Sequence, residues 1–163
     1  MLQIAMAEKI KRHEVLVIAG RLERAISSCR PADPVELLYL RIAFHAALAR
    51  RFHHHEHVFC SRLRVTRGAQ AEREARELGA SARSAVDMAA AWLEAWPAPA
   101  IAADWERFRV DTRTMLAEVR EHLRRDGERM DALARGADGP GVSGTEQARG
   151  AWPGGGRRAL ALA

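Results

Sequence analysis

Cysteine is scarce in this chain, and long apolar runs are absent. Only Cys29 and Cys60 occur among the 163 residues, and neither belongs to a Cys-x-x-Cys motif. This excludes a zinc ribbon or a redox site of that kind, and it favours a reducing compartment or at most one disulfide bridge. No run of about 18 apolar residues is present, so we expect no membrane-spanning helix. The N-terminal residues lack the apolar core and cleavage site of a signal peptide, so we expect a cytoplasmic protein.

The sequence also lacks the motifs of common enzyme chemistry. It has no serine, cysteine or threonine in a nucleophile motif, no glycine-rich phosphate loop that opens a helix, and no carboxylate pair suited to acid–base catalysis. We therefore expect that the protein is not an enzyme. A weaker alternative is a helical enzyme with His122 as a general base, although no substrate-binding motif accompanies that residue.

Positive charge is present, but it is not concentrated. The net charge is +5, and the cationic residues are 24 arginines and only 2 lysines. The arginines alternate with acidic residues, as in segment 73–77 (Arg-Glu-Ala-Arg-Glu), which is typical of a solvated helix face. Because a dense basic stripe and interleaved aromatic residues are both missing, the sequence does not favour nucleic-acid binding.

The spacing of apolar residues predicts four helices, at residues 2–27, 34–64, 69–96 and 101–134. Asp33 followed by Pro34 predicts the start of the second helix, with aspartate as the N-cap and proline at the first helical position. Short connections between long helices are typical of an up-down-up-down bundle. We therefore predict an all-α fold, an antiparallel four-helix bundle over residues 1–135. Residues 136–163 are rich in glycine, so we predict a flexible, disordered C-terminal tail.

Apolar stripes indicate which face of each helix is buried. On the second helix the inward stripe consists of Leu38, Ile42, His45, Phe52, Phe59 and Leu63, and a neighbouring row consists of Phe44, Leu48, Arg51, His55 and Val58. Small residues dominate the stripe of the third helix, which would let a neighbouring helix approach closely. That stripe consists of Leu78, Ala82, Ala85, Ala89 and Trp92. The stripe of the fourth helix is the clearest in the chain and consists of Trp105, Phe108, Thr112, Met115, Val119, His122, Asp126, Met130 and Leu133.

Histidine is concentrated in one segment, since five of the seven histidines lie between His45 and His57. Histidine is the commonest transition-metal ligand, so the segment predicts either a metal site or a solvated, pH-sensitive surface. Helical spacing directs at most two of these side chains toward one site. We expect His53 and His54 at the surface, His55 near the core, and His45 as a core histidine. His45 lies about 15 Å from His55 along the helix axis, so the two cannot share one metal ion.

His122 and Asp126 form the most specific candidate pair. They are four residues apart, so they share a helix face, and both lie on the apolar stripe of the fourth helix. A buried carboxylate needs a compensating partner. One interpretation is half of a divalent-cation site, with the pattern His-x-x-x-Asp. The alternative is a buried pair of Asp126 with His122 or with an arginine.

Local sequences on all four predicted helices resemble those of one family. They are segment 12–16 (Arg-His-Glu-Val-Leu), segment 48–63 of the histidine-rich helix, the pair Glu77-Leu78, and segment 122–126 with its histidine and aspartate. In this order they resemble the hemerythrin-like, HHE cation-binding family of bacteria, over residues 1–135. The resemblance implies a bundle that holds a non-haem di-iron centre through histidines and carboxylates from all four helices. It also implies an oxygen- or metal-linked role in sensing or storage.

Most of the ligand positions implied by this resemblance carry other residues here. The first-helix ligand position matches Arg12, and the second-helix histidine position matches Arg51. The glutamate position of the second helix falls on His55, and the histidine position of the third helix falls on Leu78. Two arginines in place of two histidines would put positive charge where two cations should bind.

Two functional hypotheses follow from these replacements. The first is a hemerythrin-like cation-binding protein whose site is degraded to one metal ion, with iron as the cofactor and His55, His122 and Asp126 as its ligands. The second is a metal-free bundle in which Arg12 or Arg51 neutralises Asp126. This bundle would act as a regulatory or protein-interaction module, so its partner would be another protein rather than a divalent metal ion.

Overall fold

The computed structural model describes residues 2–28, 33–61 and 68–137. Five α-helices and one π-helical segment make up nearly all of these residues. They are α1 (Leu2–Ala25), α2 (Pro34–His54), the π-helical segment (His55–Cys60), α3 (Gly68–Ala95), α4 (Ala98–Ala103) and α5 (Trp105–Ala137). These ranges contain no β-strand, so the predicted all-α fold class is confirmed for them. No helix within them combines the length and the apolar character needed to cross a bilayer.

Parts of the sequence-based prediction lie outside the described residues. The predicted tail, residues 136–163, lies outside them from residue 138 onward. Its first two residues, Gly136 and Ala137, belong to α5 instead. Residues 62–67, which include the predicted end of the second helix, are another such part. Cys29 and residues 30–32 of the break before α2 also lie outside.

Each of the four long helices packs against two of the others. α1 and α3 each contact both α2 and α5. In every contacting pair, residues of rising number on one helix meet residues of falling number on the other, so the two helices run in opposite directions. The contacts of α2 and its π-helical segment are Glu8–His54 and Glu14–Arg50 with α1, and Arg41–Trp96 and Cys60–Ala75 at α3. The contacts of α5 are Trp92–Thr112 and Glu77–Arg129 with α3, and Lys9–Asp131 and Glu23–Arg120 with α1.

α2 begins where the sequence predicts. Asp33 is its N-cap, and Oδ1 of Asp33 accepts hydrogen bonds from the backbone N–H groups of Val35 at 2.8 Å and Glu36 at 3.0 Å. Pro34 occupies the first turn, where a missing N–H group costs nothing. This start confirms the prediction made from the Asp-Pro pair.

The predicted fourth helix is in fact two helices. α4 begins at Ala98 and includes Ile101, the predicted start, and the chain then breaks at Asp104. Asp104 leaves the helical conformation, with φ −143° and ψ 76°. Its Oδ1 accepts a hydrogen bond from the backbone N–H of Arg107 at 3.0 Å, so Asp104 caps the start of α5. The single helix from Ile101 was wrong because this aspartate both ends α4 and caps α5.

The predicted stripes of α3 and α5 face the core. All five residues of the α3 stripe are buried, and four of the buried residues that line α3 are alanines. In α5 every stripe member is buried except His122 and Leu133, which are half-buried. Small side chains therefore line the buried face of α3, which packs against α2 and α5.

The predicted buried face of α2 was wrong in its first half. Leu38 and Ile42 are 51 % and 55 % exposed, whereas Leu37 and Phe44 are buried. α2 carries apolar residues on both sides over these turns, so apolar spacing alone admits two faces. His45 lies between the two faces and is half-buried, not a core residue. The face that is buried in the first half of α2 is continuous with the buried residues Ala47, Leu48 and Arg51 of its second half. The whole buried face consists of Leu37, Leu40, Arg41, Phe44, Ala47, Leu48 and Arg51.

α2 passes directly into the π-helical segment, where the predicted α-helical pattern does not hold. A π-helix has a wider turn, in which each N–H bonds five residues back. His55 and Cys60, five residues apart, are both fully buried. Sγ of Cys60 donates to the carbonyl oxygen of Ala75 at 3.3 Å, so this cysteine packs against α3.

Aromatic residues fill the other end of the molecule. Phe108 is fully buried, and its ring centroid lies 6.0 Å from that of Trp92, 5.4 Å from that of Trp96 and 5.5 Å from that of Trp105. We call these four residues the aromatic cluster. Such ring pairs add to the stabilisation that buried area alone provides.

Arg41 of α2 is buried against this cluster. Its guanidinium carbon lies 5.2 Å from the ring centroid of Trp92 and 5.8 Å from that of Phe108. Its Nη2 donates to the carbonyl oxygens of Leu93 and Trp96 at the end of α3, which have no partner within that helix. Burial lowers the pKa of the Arg41 guanidinium below its ordinary value. The arginine therefore caps α3 and covers two aromatic faces.

Candidate functional site

A cluster of buried charges connects α1, α2 and α5. Its members are Glu8, Arg51 and Asp126, whose side chains are only 2–3 % exposed. Nη2 of Arg51 donates to Oδ2 of Asp126 at 3.4 Å, and Nε of Arg51 lies 3.7 Å from Oε2 of Glu8. Two carboxylates from different helices thus share one guanidinium. We call these three residues the buried charge cluster.

Two histidines extend this cluster on the side of Glu8. Nδ1 of His54 lies 2.7 Å from Oε1 of Glu8, and Nδ1 of His55 lies 3.9 Å from Oε2. His55 is fully buried, as expected of a residue near the core. His54 is half-buried and bonded, so the predicted surface position of His54 was wrong. The reason is that α1 packs against this side of α2 and places a carboxylate opposite the imidazole.

The electrostatic surroundings of Glu8 favour its charged form. Burial by itself would raise the pKa of this carboxyl group. The contacts with His55 and His54 and the positive charge of Arg51 outweigh burial, so the pKa lies below its ordinary value of 4.5. Glu8 is therefore an ionised carboxylate at neutral pH, inside the protein.

This pKa shift predicts a loss of stability in acid. Because the folded-state pKa of Glu8 is depressed, its contribution to stability is complete above pH 4.5 and is lost as the pH falls through the folded-state value. We expect the free energy of unfolding to fall below pH 4.5, and to fall less in Glu8→Gln than in the wild type. Urea denaturation from pH 7 to pH 3 measures this. Parallel curves for the two proteins would contradict the assignment.

A small pocket opens from the cluster to the solvent. It is about large enough for one water molecule, and Arg12 lies at its edge against α5. Gly127 makes this possible, since a Cβ atom there would lie only 1.6 Å from Nη1 of Arg12. The pocket lining is cationic on balance. It consists of Glu8, Lys9, Arg12, Arg51, Gly127, Met130 and Asp131.

His122, one of the three ligands expected from the sequence, has a different setting. Its Nδ1 lies 3.3 Å from Oγ of Ser81 on α3. The half-buried ring lines an open surface groove together with Glu121 and Arg125. Asp126, one turn further along α5, points instead to Arg51. Helical spacing placed the two residues on one stripe, but they make contacts in different directions.

The side chains of the cluster do not fit a metal centre. Within residues 2–28, 33–61 and 68–137, no group of three or more histidine, cysteine, aspartate or glutamate side chains is placed to hold a metal ion. The expected ligands His55, His122 and Asp126 therefore form no such group. The guanidinium of Arg51 occupies the space between the two carboxylates, and a cation cannot share that space without repulsion.

Sequence reasoning identified part of this site and missed part of it. It offered Arg12 or Arg51 as the partner of Asp126, and the structure shows the contact with Arg51. It did not single out Glu8. The signal was available, because Glu8 lies seven residues before Val15 on the stripe that the buried residues of α1 follow.

The buried charge cluster is thus held together by the contacts of Arg51 with Glu8 and Asp126, which come from three different helices. The resemblance to hemerythrin-like proteins comes from the short sequences quoted above and from the order of the helices. Comparison with protein-family models, with curated proteins and with solved structures finds no match to this chain.

Proposed function

We propose that the chain is a hemerythrin-like antiparallel four-helix bundle that works without a core metal ion, as a regulatory or protein-interaction module. The observation that carries the proposal is the position of Arg51. This residue matches the second-helix histidine of the family, and its guanidinium lies between two buried carboxylates. A fixed positive charge in this position would do what a cation does for its ligands, because it compensates their negative charge.

The unfolding temperature under metal-binding and metal-free conditions tests this proposal. A metal ion that binds only the folded state stabilises it by about 2.7 kcal/mol at one hundred times its Kd. The suitable protein is the untagged double variant H53A/H57A, which removes two exposed imidazoles that could bind added metal at the surface. We expect the same midpoint in a chelator, in buffer and with anaerobic Fe²⁺. A lower midpoint in the chelator, or a higher one with Fe²⁺, would contradict a metal-free core.

The role in protein contact rests on an exposed apolar row along α2. Val35, Leu38, Tyr39 and Ile42 are 51–76 % exposed and follow the spacing of one helix face. Isolated exposed apolar residues are ordinary, but a contiguous row on one face is typical of an interaction surface. The row lies on the side of α2 away from the buried residues that contact α1 and α3.

Substitution in this row is expected to leave the fold intact. Ile42→Gln should change the free energy of unfolding by no more than about 0.5 kcal/mol, because the side chain is mostly in solvent. Leu40→Gln is the matched control on the buried face of the same helix, and it should cost several times as much. Chemical denaturation measures both. Equal losses would show that the exposed row is packed against residues of its own chain.

A further inference from the structure

We propose that His53 and His57 form a surface site for one divalent transition-metal ion. Both residues are exposed, and their ring centroids lie 4.4 Å apart with the ring planes at 45°. They do not belong to the buried charge cluster, and neither is among the core ligands expected from the sequence. The site is therefore distinct from the core and goes beyond the proposed function.

The chemistry of this pair suits borderline metal ions. Imidazole nitrogen is a good ligand for copper, nickel and zinc. Metal–nitrogen bonds of about 2.0–2.1 Å place two bound nitrogens about 3 Å apart. Because the ring centroids are only 4.4 Å apart, we expect side-chain rotation to bring one nitrogen of each ring into that arrangement. Because affinities follow the Irving–Williams order, Cu²⁺ is the ion expected to bind most tightly.

The surroundings of the pair do not oppose a bound cation. Arg50, three residues before His53, forms an ion pair with Glu14 of α1, and Nη2 of Arg50 lies 2.5 Å from Oε1 of Glu14. Its positive charge is therefore compensated locally. Solvent reaches both histidines and would complete the coordination of the ion.

The position of the pair gives metal binding a structural consequence. His53 belongs to α2, whereas His57 belongs to the π-helical segment, so an ion bound to both connects the two across their junction. His54 and His55 lie between them and contact Glu8. Metal binding is expected to stabilise this turn, and with it the folded state, by mass action.

Titration of the untagged full-length chain with Cu²⁺ tests the proposal. Calorimetry measures the stoichiometry and the affinity, and electron paramagnetic resonance identifies the ligand atoms. We expect one ion per chain with nitrogen ligands. Because both ligands belong to the same chain, binding of the second is intramolecular, so loss of either His53 or His57 should weaken binding by about a hundredfold. His13→Ala is the matched control, since His13 is exposed on α1 and belongs to no such pair. It should leave the affinity unchanged.

Unchanged affinity in both single variants, H53A and H57A, would overturn the surface site. So would equally tight binding in the double variant H53A/H57A, because other ligands of the chain would then hold the ion. Loss of binding in a double variant that circular dichroism shows to be folded supports the site, and it leaves the proposed function to be judged by the unfolding temperature with and without Fe²⁺ and by iron content.

Discussion

Replacement of Arg51 by methionine is expected to lower the free energy of unfolding by about 3–5 kcal/mol. Methionine fills much of the same volume, but it removes the only arginine that contacts both Glu8 and Asp126 in the described part of the chain. Two carboxylates would then remain buried without that compensating charge. Chemical denaturation at neutral pH measures the loss, with the unchanged slope of the transition as evidence that only stability has changed.

A compensated variant separates the loss of charge from the loss of packing. The triple variant E8Q/R51M/D126N has no formal charge in the cluster, and we expect it to recover a large part of the stability that R51M loses. Replacement of a complete buried ionic group by neutral residues is often neutral or stabilising, whereas removal of one partner is not. Arg51 does not compensate the two carboxylates if R51M is as stable as the wild type, or if the triple variant is less stable than R51M.

Phe108→Ala is expected to have a comparable effect at the other end of the molecule, about 3–5 kcal/mol of lost stability. Phe108 contacts the rings of Trp92, Trp96 and Trp105, and the guanidinium of Arg41 lies over its face. Its removal leaves a cavity among three indoles and reduces the aromatic surface that covers a buried cation. Chemical denaturation and the near-ultraviolet circular dichroism of the tryptophans report the two consequences.

Val110→Ala on the same helix provides the control for this prediction. Val110 is mostly exposed, so its truncation should change stability by no more than about 0.5 kcal/mol. The structure would be contradicted if Phe108→Ala cost no more than this surface variant. It would also be contradicted if the tryptophan spectrum of Phe108→Ala were the same as that of the wild type.

The sequence predicts the fold well where one helix face is clearly more apolar than the other. The stripes of α3 and α5 were confirmed because polar and charged residues dominate the opposite face of those helices. The start of α2 was confirmed because Asp33 and Pro34 each satisfy a local requirement of a helix N-terminus. In both cases the deciding interactions lie within a few residues of each other in the sequence.

The sequence predicts less where the deciding interactions come from other helices. Leu38 and Ile42 are as apolar as the buried residues of α2, and only the packing of α1 and α3 selects the other face. The π-helical segment is a local change of helical geometry that no residue pattern predicted here. His54 follows the same rule, since its partner Glu8 is 46 residues away.

For the candidate site, the sequence identified a compensated Asp126 but left the compensating group open. A metal ion, His122, Arg12 and Arg51 were all consistent with helical spacing. Side-chain direction decided among them, because His122 lies against Ser81 and Arg51 reaches Asp126 across the core. Spacing on one helix cannot supply that information, since it depends on how the facing helices are placed.

Elemental analysis, with an ultraviolet–visible spectrum, of untagged H53A/H57A from cells grown with added iron tests the central claim most directly. If the guanidinium of Arg51 takes the place of metal between Glu8 and Asp126, the folded protein will contain no stoichiometric iron and will show no charge-transfer band. Two irons per chain with the bands of an oxo-bridged pair would contradict the account and would identify a working hemerythrin-like centre.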